Sequence, residues 1–433
     1  MKILIANNVF DGGGGITTYC CELIKCLSKK HELTVVLKDD SSFPIKEPGV
    51  RVLYHDTQDL SKKNARLFIK LINEEVKPDI VIGSFALIIP VIAPFLNDSI
   101  RLMTVSHSGK FFASDYCALN HKYIDHIIGA SSEYNKRYLE RKFHIKDHSK
   151  IRVIYNSVAS NPELEELHVE KKQRNVVSIV YSGGGLPGKN PDLVLKILCG
   201  LLKTDLNFKF YWTGGSKLPL PKGIINRCKL NDVQQYLQKD ERVEFVGHIP
   251  SNEDFVKFIS SGNILLTPSR NEGCSMLVLQ ALRSGSILMV GDYPHNNKEL
   301  VERGNCGFAL NHCSPDAFAD KLIDIISHPR EYDTLYDNAH RTFEELLSYP
   351  VWEASMEKLM ELTFNHTERK RTIRDNRLSY DIMRMKLLRK TSYYLSLYFF
   401  TLRSLCNFYI QYIKMRINGD FPLKVNKVSK RNT

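Results

Sequence analysis

The chain has 433 residues, room for two to three domains, and 43% of them are hydrophobic, enough for sizeable cores. Its formal net charge of +12 raises nucleic acid or an anionic membrane as a partner. That excess is confined: residues 365–433 hold 16 Lys and Arg against 4 Asp and Glu, and the remainder holds 44 of each sign. A neutral body argues against nucleic acid, which needs a basic face on the folded domain. None of the ten cysteines forms a CxxC pair or stands at ligand spacing from a histidine, which argues against zinc and suits a reducing cytoplasm. The opening "MKILIANN" reads as an immediate strand, without the apolar stretch and cleavage site of a signal peptide.

In chain order the first half alternates strands and helices. "KILIA" is a strand, Ile16–Leu27 a helix and "ELTVVL" a strand. Ala65–Glu75 is a helix, "DIVIG", "RLMTVS" and "HIIGA" are strands, Ser132–Phe143 is a helix and "IRVIY" a strand. Near-continuous apolar strands between helices predict a parallel sheet covered on both faces. "NSVASNPELEELHVEKKQRN" is polar and reads as a linker. A second series follows: "VVSIVYS", a helix at Leu193–Leu202, "FKFYWTG", "RVEFVG", a helix at Asn252–Ile259, "NILLTP", the Met276–Leu282 helix, "ILMV", "GFAL" and a helix at Ser314–Ile326. Two doubly wound units place ligands between them, at the carboxyl ends of the strands.

Four stretches carry the chemistry. "NNVFDGGGGITTY" follows the first strand and opens a helix, so glycines and a helix N-terminus suit an anion, although a flexible turn reads the same. It matches neither GxGxxG nor the P-loop pattern. "YSGGGLPGKNPDLVL" repeats that design with Lys189, which can reach a diphosphate or lie on the surface. "TVSHSG" sets His107 just after a strand, where it can donate to a substrate oxygen or serve as a structural histidine. In "NILLTPSRNEGCSMLVLQALRSGS" Pro268 ends a strand, Ser275 can cap the next helix and Gly285 can close it. Glu272 then lies in the loop, and Gln280 sits about 7–8 Å along the helix at ~1.5 Å per residue. Buried among Met276, Leu277, Val278, Leu279, Ala281 and Leu282, the amide needs a partner; a ribose hydroxyl or a core polar group would serve.

As an ordered set these residues resemble the retaining glycosyltransferases of family 4, from Met1 to about Leu362. The resemblance also includes "SSEYNKRYLERKFHIKDHSKIRVIYNSV", "VEFVGHIP", "GNCGFAL" and "YPVWEASMEKLMEL", the last like the helix that returns to the first domain. It implies an α/β GT-B fold: two Rossmann-like doubly wound domains, residues 1–160 and 173–348, facing across a cleft. A crossing helix at 349–364 and a basic helical extension at 365–433 complete it. It implies transfer of a hexose, with retention, from a UDP-linked donor to a lipid-carried or surface-polysaccharide acceptor. No metal or cofactor is expected; Lys189 and main-chain amides would stabilise the leaving diphosphate. By the resemblance His107 touches the transferred sugar and Glu272 bonds its hydroxyls. The donor would lie against Gly13, Gly14, Gly15, Gly183, Gly184, Gly214, Gly247, His248, Gly273, Cys274, Ser275, Met276 and Gln280. Two positions depart from the family pattern. Gln280 replaces the second of two glutamates spaced by seven residues, and Gly184 stands where many members carry arginine. A non-catalytic GT-B scaffold and a sugar-nucleotide epimerase are the alternatives.

In the tail, Tyr394, Leu395, Tyr398, Phe399, Leu402, Leu405, Cys406, Tyr409, Ile410 and Ile413 recur at helical spacing. The charge-free run Thr391–Leu402 is too short to span a bilayer, which takes ~20 residues. A helix in the interface of an anionic membrane is expected, with the protein peripheral on the inner, cytoplasmic face. Packing of the stripe on the body or on a second subunit is the other reading.

Overall fold

The structure is a computed structural model. It describes residues 1–7, 15–38, 47–107, 112–129, 132–184, 186–214, 237, 239–270, 272–367, 371 and 377–390. The predicted stripe at 394–413 lies outside them, as do Gly13 and Gly14. Two compact units are present, Met1–Met385 and Lys386–Thr433.

The first unit holds two parallel sheets. β1 (Lys2–Asn7), β2 (Glu32–Leu37), β3 (Arg51–Tyr54), β4 (Ile80–Ser84), β5 (Arg101–Ser106), β6 (His126–Gly129) and β7 (Ile151–Val153) form one, in the order β3-β2-β1-β4-β5-β6-β7. β8 (Val177–Ser182), β9 (Phe208–Thr213), β10 (Val243–Gly247), β11 (Ile264–Thr267), β12 (Ile287–Gly291) and β13 (Gly307–Leu310) form the other, in the order β10-β9-β8-β11-β12-β13. Strand order reverses beside β1 and beside β8, so each sheet has a switch point where the loops after its central strands splay apart. "ILIA", "IVIG" and "ILMV" are buried on both faces, as β1, β4 and β12 require.

Several elements differ from their predicted form. The helix expected at Ala65–Glu75 is an α-helix at Lys62–Lys70 followed by a π-helical stretch, Leu71–Val76. The stretch expected to be a linker folds into short helices, Pro162–Glu165 and Leu167–Gln173. Lys171 is the reason: it is 1% exposed, and its Nζ donates to Ser284 O at 2.8 Å, Ser284 Oγ at 2.9 Å and Ser286 Oγ at 2.8 Å. Burial pushes its pKa well below the usual lysine range. A polar sequence thus conceals a docked segment. Helices at Asn296–Gly304 and Asp333–Leu346 add to those expected.

Two features join the halves of this unit. The Tyr349–Phe364 helix returns to the first sheet, where Trp352, Met356, Leu359 and Met360 share a core with Ile3, Ile5, Val35 and Ile82. Lys29 and Lys30 pair with Glu353 and Glu357 on its outer side. Near the crossover, the buried Glu299 carboxylate accepts from Glu133 N at 2.9 Å, at the start of the Glu133–Phe143 helix, and from Tyr155 Oη. A carboxylate there favours the positive end of that helix.

Candidate active site

The site is built from the carboxyl ends of β4 and β5 in one sheet and of β8 to β11 in the other. After β8 the chain turns sharply. Gly183 N and Gly184 N both donate to Thr213 O, at 3.3 and 3.1 Å. Gly184 has φ +50° and Gly214 φ +95°, and a Cβ on Gly214 would sit 2.7 Å from Gly184 N. Two main chains therefore meet where side chains do not fit. That explains the glycine at 184: a side chain there would force a left-handed backbone on an L-residue.

The turn delivers Lys189, whose Nζ lies 2.5 Å from Glu272 Oε1. With side chains 25% and 11% exposed, the pair is shielded yet open to a ligand. Arg270 bolts the two loops together. Its amide donates to Gly188 O at 2.9 Å, and its guanidinium reaches Asn190 Oδ1 at 2.7 Å and Asp192 at 3.2 Å. Asn190 Nδ2 donates in turn to Pro268 O at 3.3 Å.

Glu272 leads into the Met276–Arg283 helix. Ser275 occupies its N-cap position, but its side chain makes no capping bond; the expected Ser275 cap is corrected. With ψ 117° Ser275 supplies its carbonyl to Val278 N and Leu279 N, at 2.9 and 3.1 Å. The adjoining loop is gripped by Asn156, whose Nδ2 donates to Cys274 O at 3.0 Å and whose amide donates to Cys274 Sγ at 3.3 Å. Burial pushes the Cys274 thiol up to about 12, so it is an inert packing group. Gln280 Oε1 and Asn156 Oδ1 are buried acceptors without a hydrogen-bond partner among the described residues. Across the cleft, a Cβ placed on Gly15 would lie 3.6 Å from Met276 Cγ, so the helix at Gly15–Ser28 starts opposite this loop.

His107 follows β5. Its Nε2 lies 2.9 Å from Ser84 Oγ at the end of β4, and the Tyr19 ring packs edge-on with centroids 4.9 Å apart. Burial pulls its pKa down to about 3, so the imidazole is neutral at physiological pH. Of the other predicted residues, Gly214 N donates to Gly247 O at 2.8 Å, where Gly247 has φ +77°. His248 is exposed beside it, and Gly273 is half-buried beside Glu272. No cluster of three His, Cys, Asp or Glu able to hold a metal occurs among the described residues.

Arg270, Asn190 and Asn156 carried no motif of their own. All three stood inside stretches already singled out, and only their partners reveal what they do. Ser84 left no sequence signal, lying 23 residues from the histidine it touches.

Two parallel, doubly wound sheets with facing loops define the GT-B class, and the comparisons agree. Residues 13–161 match the model of Glycosyltransferase Family 4, and residues 163–342 match that of Glycosyl transferases group 1. The chain belongs to this glycosyltransferase family. Among solved structures, HepE from Anabaena, determined with UDP and glucose, is similar over 84% of this chain and 100% of its own, at TM-score 0.62 and 15% identity. The lipopolysaccharide outer core galactosyltransferase WaaB covers 84% of this chain and 99% of its own, at TM-score 0.64 and 19% identity. A glycosyltransferase from Rickettsia africae gives TM-score 0.63 and 16% identity over 84% of this chain and 99% of its own. A relative in Streptococcus pneumoniae, the GtfA subunit of a UDP-N-acetylglucosamine–peptide N-acetylglucosaminyltransferase, is 20% identical over 258 residues, 57% of this chain. The match spans about half, 48%, of that relative's length.

Proposed function

We propose that this glycosyltransferase is a retaining hexosyltransferase that uses a UDP-linked sugar and acts on a lipid-carried or surface-polysaccharide acceptor. The observation that carries the reading is the Lys189–Glu272 ion pair, 2.5 Å long and open to a ligand, at the start of a helix whose Gln280 Oε1 has no partner among the described residues. A nucleoside diphosphate sugar replaces every contact it would break. Its phosphates take Lys189, its sugar hydroxyls take Glu272, and a ribose hydroxyl donates to Gln280 Oε1. Lys189 and backbone amides then stabilise charge on the leaving diphosphate, which makes a metal dispensable. HepE, solved with UDP and glucose, supports the donor class.

Membrane attachment is part of the proposal. Tyr380 and Met383 are exposed, three residues apart on a helical stretch, next to Arg384. No helix among the described residues is long and apolar enough to cross a bilayer. An interfacial contact with anionic lipid on the inner, cytoplasmic face fits this apolar and basic surface.

Incubation of purified protein with radiolabelled UDP- and GDP-sugars and membrane extract tests the reading. Transfer from a UDP-sugar is the expected outcome; no turnover and no donor hydrolysis across the series would sink it. Gln280 and Gly184, which depart from the family pattern, favour one second reading, a non-catalytic scaffold. Calorimetry separates the two, since a scaffold of that kind binds no nucleotide.

A further inference from the structure

Ser84 is fully buried and joins two groups that the sequence keeps far apart. Its Oγ lies 2.9 Å from His107 Nε2 and 3.1 Å from Cys20 Sγ, on the helix that opens at Gly15. The surroundings fix it. The next residue, Phe85, has φ +52°, a left-handed backbone uncommon outside glycine. Phe85 N donates to Tyr116 Oη at 2.7 Å, Tyr116 Oη donates to Val105 O at 2.5 Å, and Gln58 Nε2 donates to Phe85 O at 2.5 Å. One buried tyrosine therefore ties the end of β4, which carries Ser84, to the end of β5, which carries His107. Ser84 thus engages His107 through Nε2, which leaves Nδ1 as the ring nitrogen that can face a ligand.

We propose that Ser84 is a positioning residue that sets the tautomer of His107, with the proton on Nδ1 and that N–H directed at the substrate. Hydrogen-bond strengths give the polarity. A hydroxyl is a good donor and a neutral imidazole nitrogen a good acceptor, whereas a thiol is weak in both roles. The chain therefore runs Cys20 Sγ–H to Ser84 Oγ, and Ser84 O–H to His107 Nε2. An unconstrained neutral imidazole favours the opposite tautomer, so removal of the hydroxyl frees the ring to reverse. Cys20 extends the chain into the Gly15–Ser28 helix, so this helix and the histidine keep one register.

The use of this N–H in catalysis rests on the transferase reading; the tautomer does not, and the test separates them. The full chain is labelled with 15N-histidine, and its imidazole resonances are recorded, with His107→Gln to assign the signal. Protonated Nδ1 and unprotonated Nε2 are expected in the unaltered protein. Ser84→Ala shifts the population toward Nε2–H and lowers kcat on the order of tenfold, with donor KM within about twofold. Ser84→Thr, which keeps a hydroxyl, restores tautomer and rate. A proton on Nε2 in the unaltered protein overturns the proposal without any variant, and so does an unchanged tautomer in a folded Ser84→Ala. If the unaltered protein turns over no nucleotide sugar, the transferase reading and the catalytic use fail together, while the resonances still decide the tautomer.

Discussion

At the ends of β4 and β5 the polar groups are neutral and mostly buried: Cys20 and Ser84 are fully enclosed, and the partly exposed His107 that ends their chain is kept uncharged by its surroundings. At the ends of β8 and β11 they are charged and partly open, with Lys189 on Glu272 and Arg270 spanning Asn190 and Asp192. On the donor reading proposed above, the contrast separates two tasks. A diphosphate needs cations that can exchange one anion for another, and a partly exposed ion pair permits that exchange. A sugar oxygen needs a donor whose direction and charge do not vary, and buried neutral contacts supply it.

The charged half can be broken most directly at Lys189. Replacement by alanine is expected to lower transfer about 10²–10³-fold, the usual loss when a group stabilising developing charge is removed. Initial rates at saturating UDP-sugar check this, and a loss below tenfold would remove Lys189 from its assigned role. A smaller effect concerns the neutral half and its joint with the returning helix. His126 is buried, with Nδ1 2.8 Å from Thr363 Oγ1; burial and then the His366 charge pull its pKa from 6.5 to about 4. Below pH 6.5 the unfolded chain takes up a proton that the folded chain refuses. This contribution is therefore complete above pH 6.5 and fades as pH falls toward 4. The thermal midpoint should fall between pH 7.5 and 5; a flat profile would contradict the assignment.

Gly184→Arg brings back the cation common in the family at a backbone of φ +50°. About 1–2 kcal/mol of destabilisation is expected from the left-handed conformation, read from a denaturant midpoint. Unchanged stability would show that the turn relaxes. The smallest effect is expected at Gln280. Loss of one hydrogen bond in Gln280→Leu should weaken UDP binding by roughly 0.5–1.5 kcal/mol, up to about tenfold. Equal affinity in calorimetry would place the ribose elsewhere.

The sheets were legible because both-face burial gives apolar strands such as "ILIA" and "ILMV" an unmistakable form. Lys189, Glu272 and Gln280 were legible because each interrupts a patterned stretch: a lysine after glycines, a carboxylate before an apolar helix, an amide inside it. What stayed hidden depended on a partner. Lys171 looks like solvated linker until Ser284 and Ser286 close on it. Ser275 looks like a cap, yet its backbone alone does the capping. Arg270 is one more charge until Asn190 and Asp192 approach from a loop about 80 residues earlier. Periodicity reports which face of an element is buried and says nothing of which distant side chain meets it.

The returning helix has a consequence for how the chain is made. Trp352, Met356, Leu359 and Met360 fill the core around β1 and β2, elements that leave the ribosome more than 300 residues earlier. Until that helix emerges, the first lobe stands with an apolar trench in its flank, a surface that chaperones recognise and that neighbouring nascent chains can stick to. The lobe that is synthesised first is thus finished last. A chain cut before Tyr349, though it keeps both sheets, should aggregate through the unfinished first lobe.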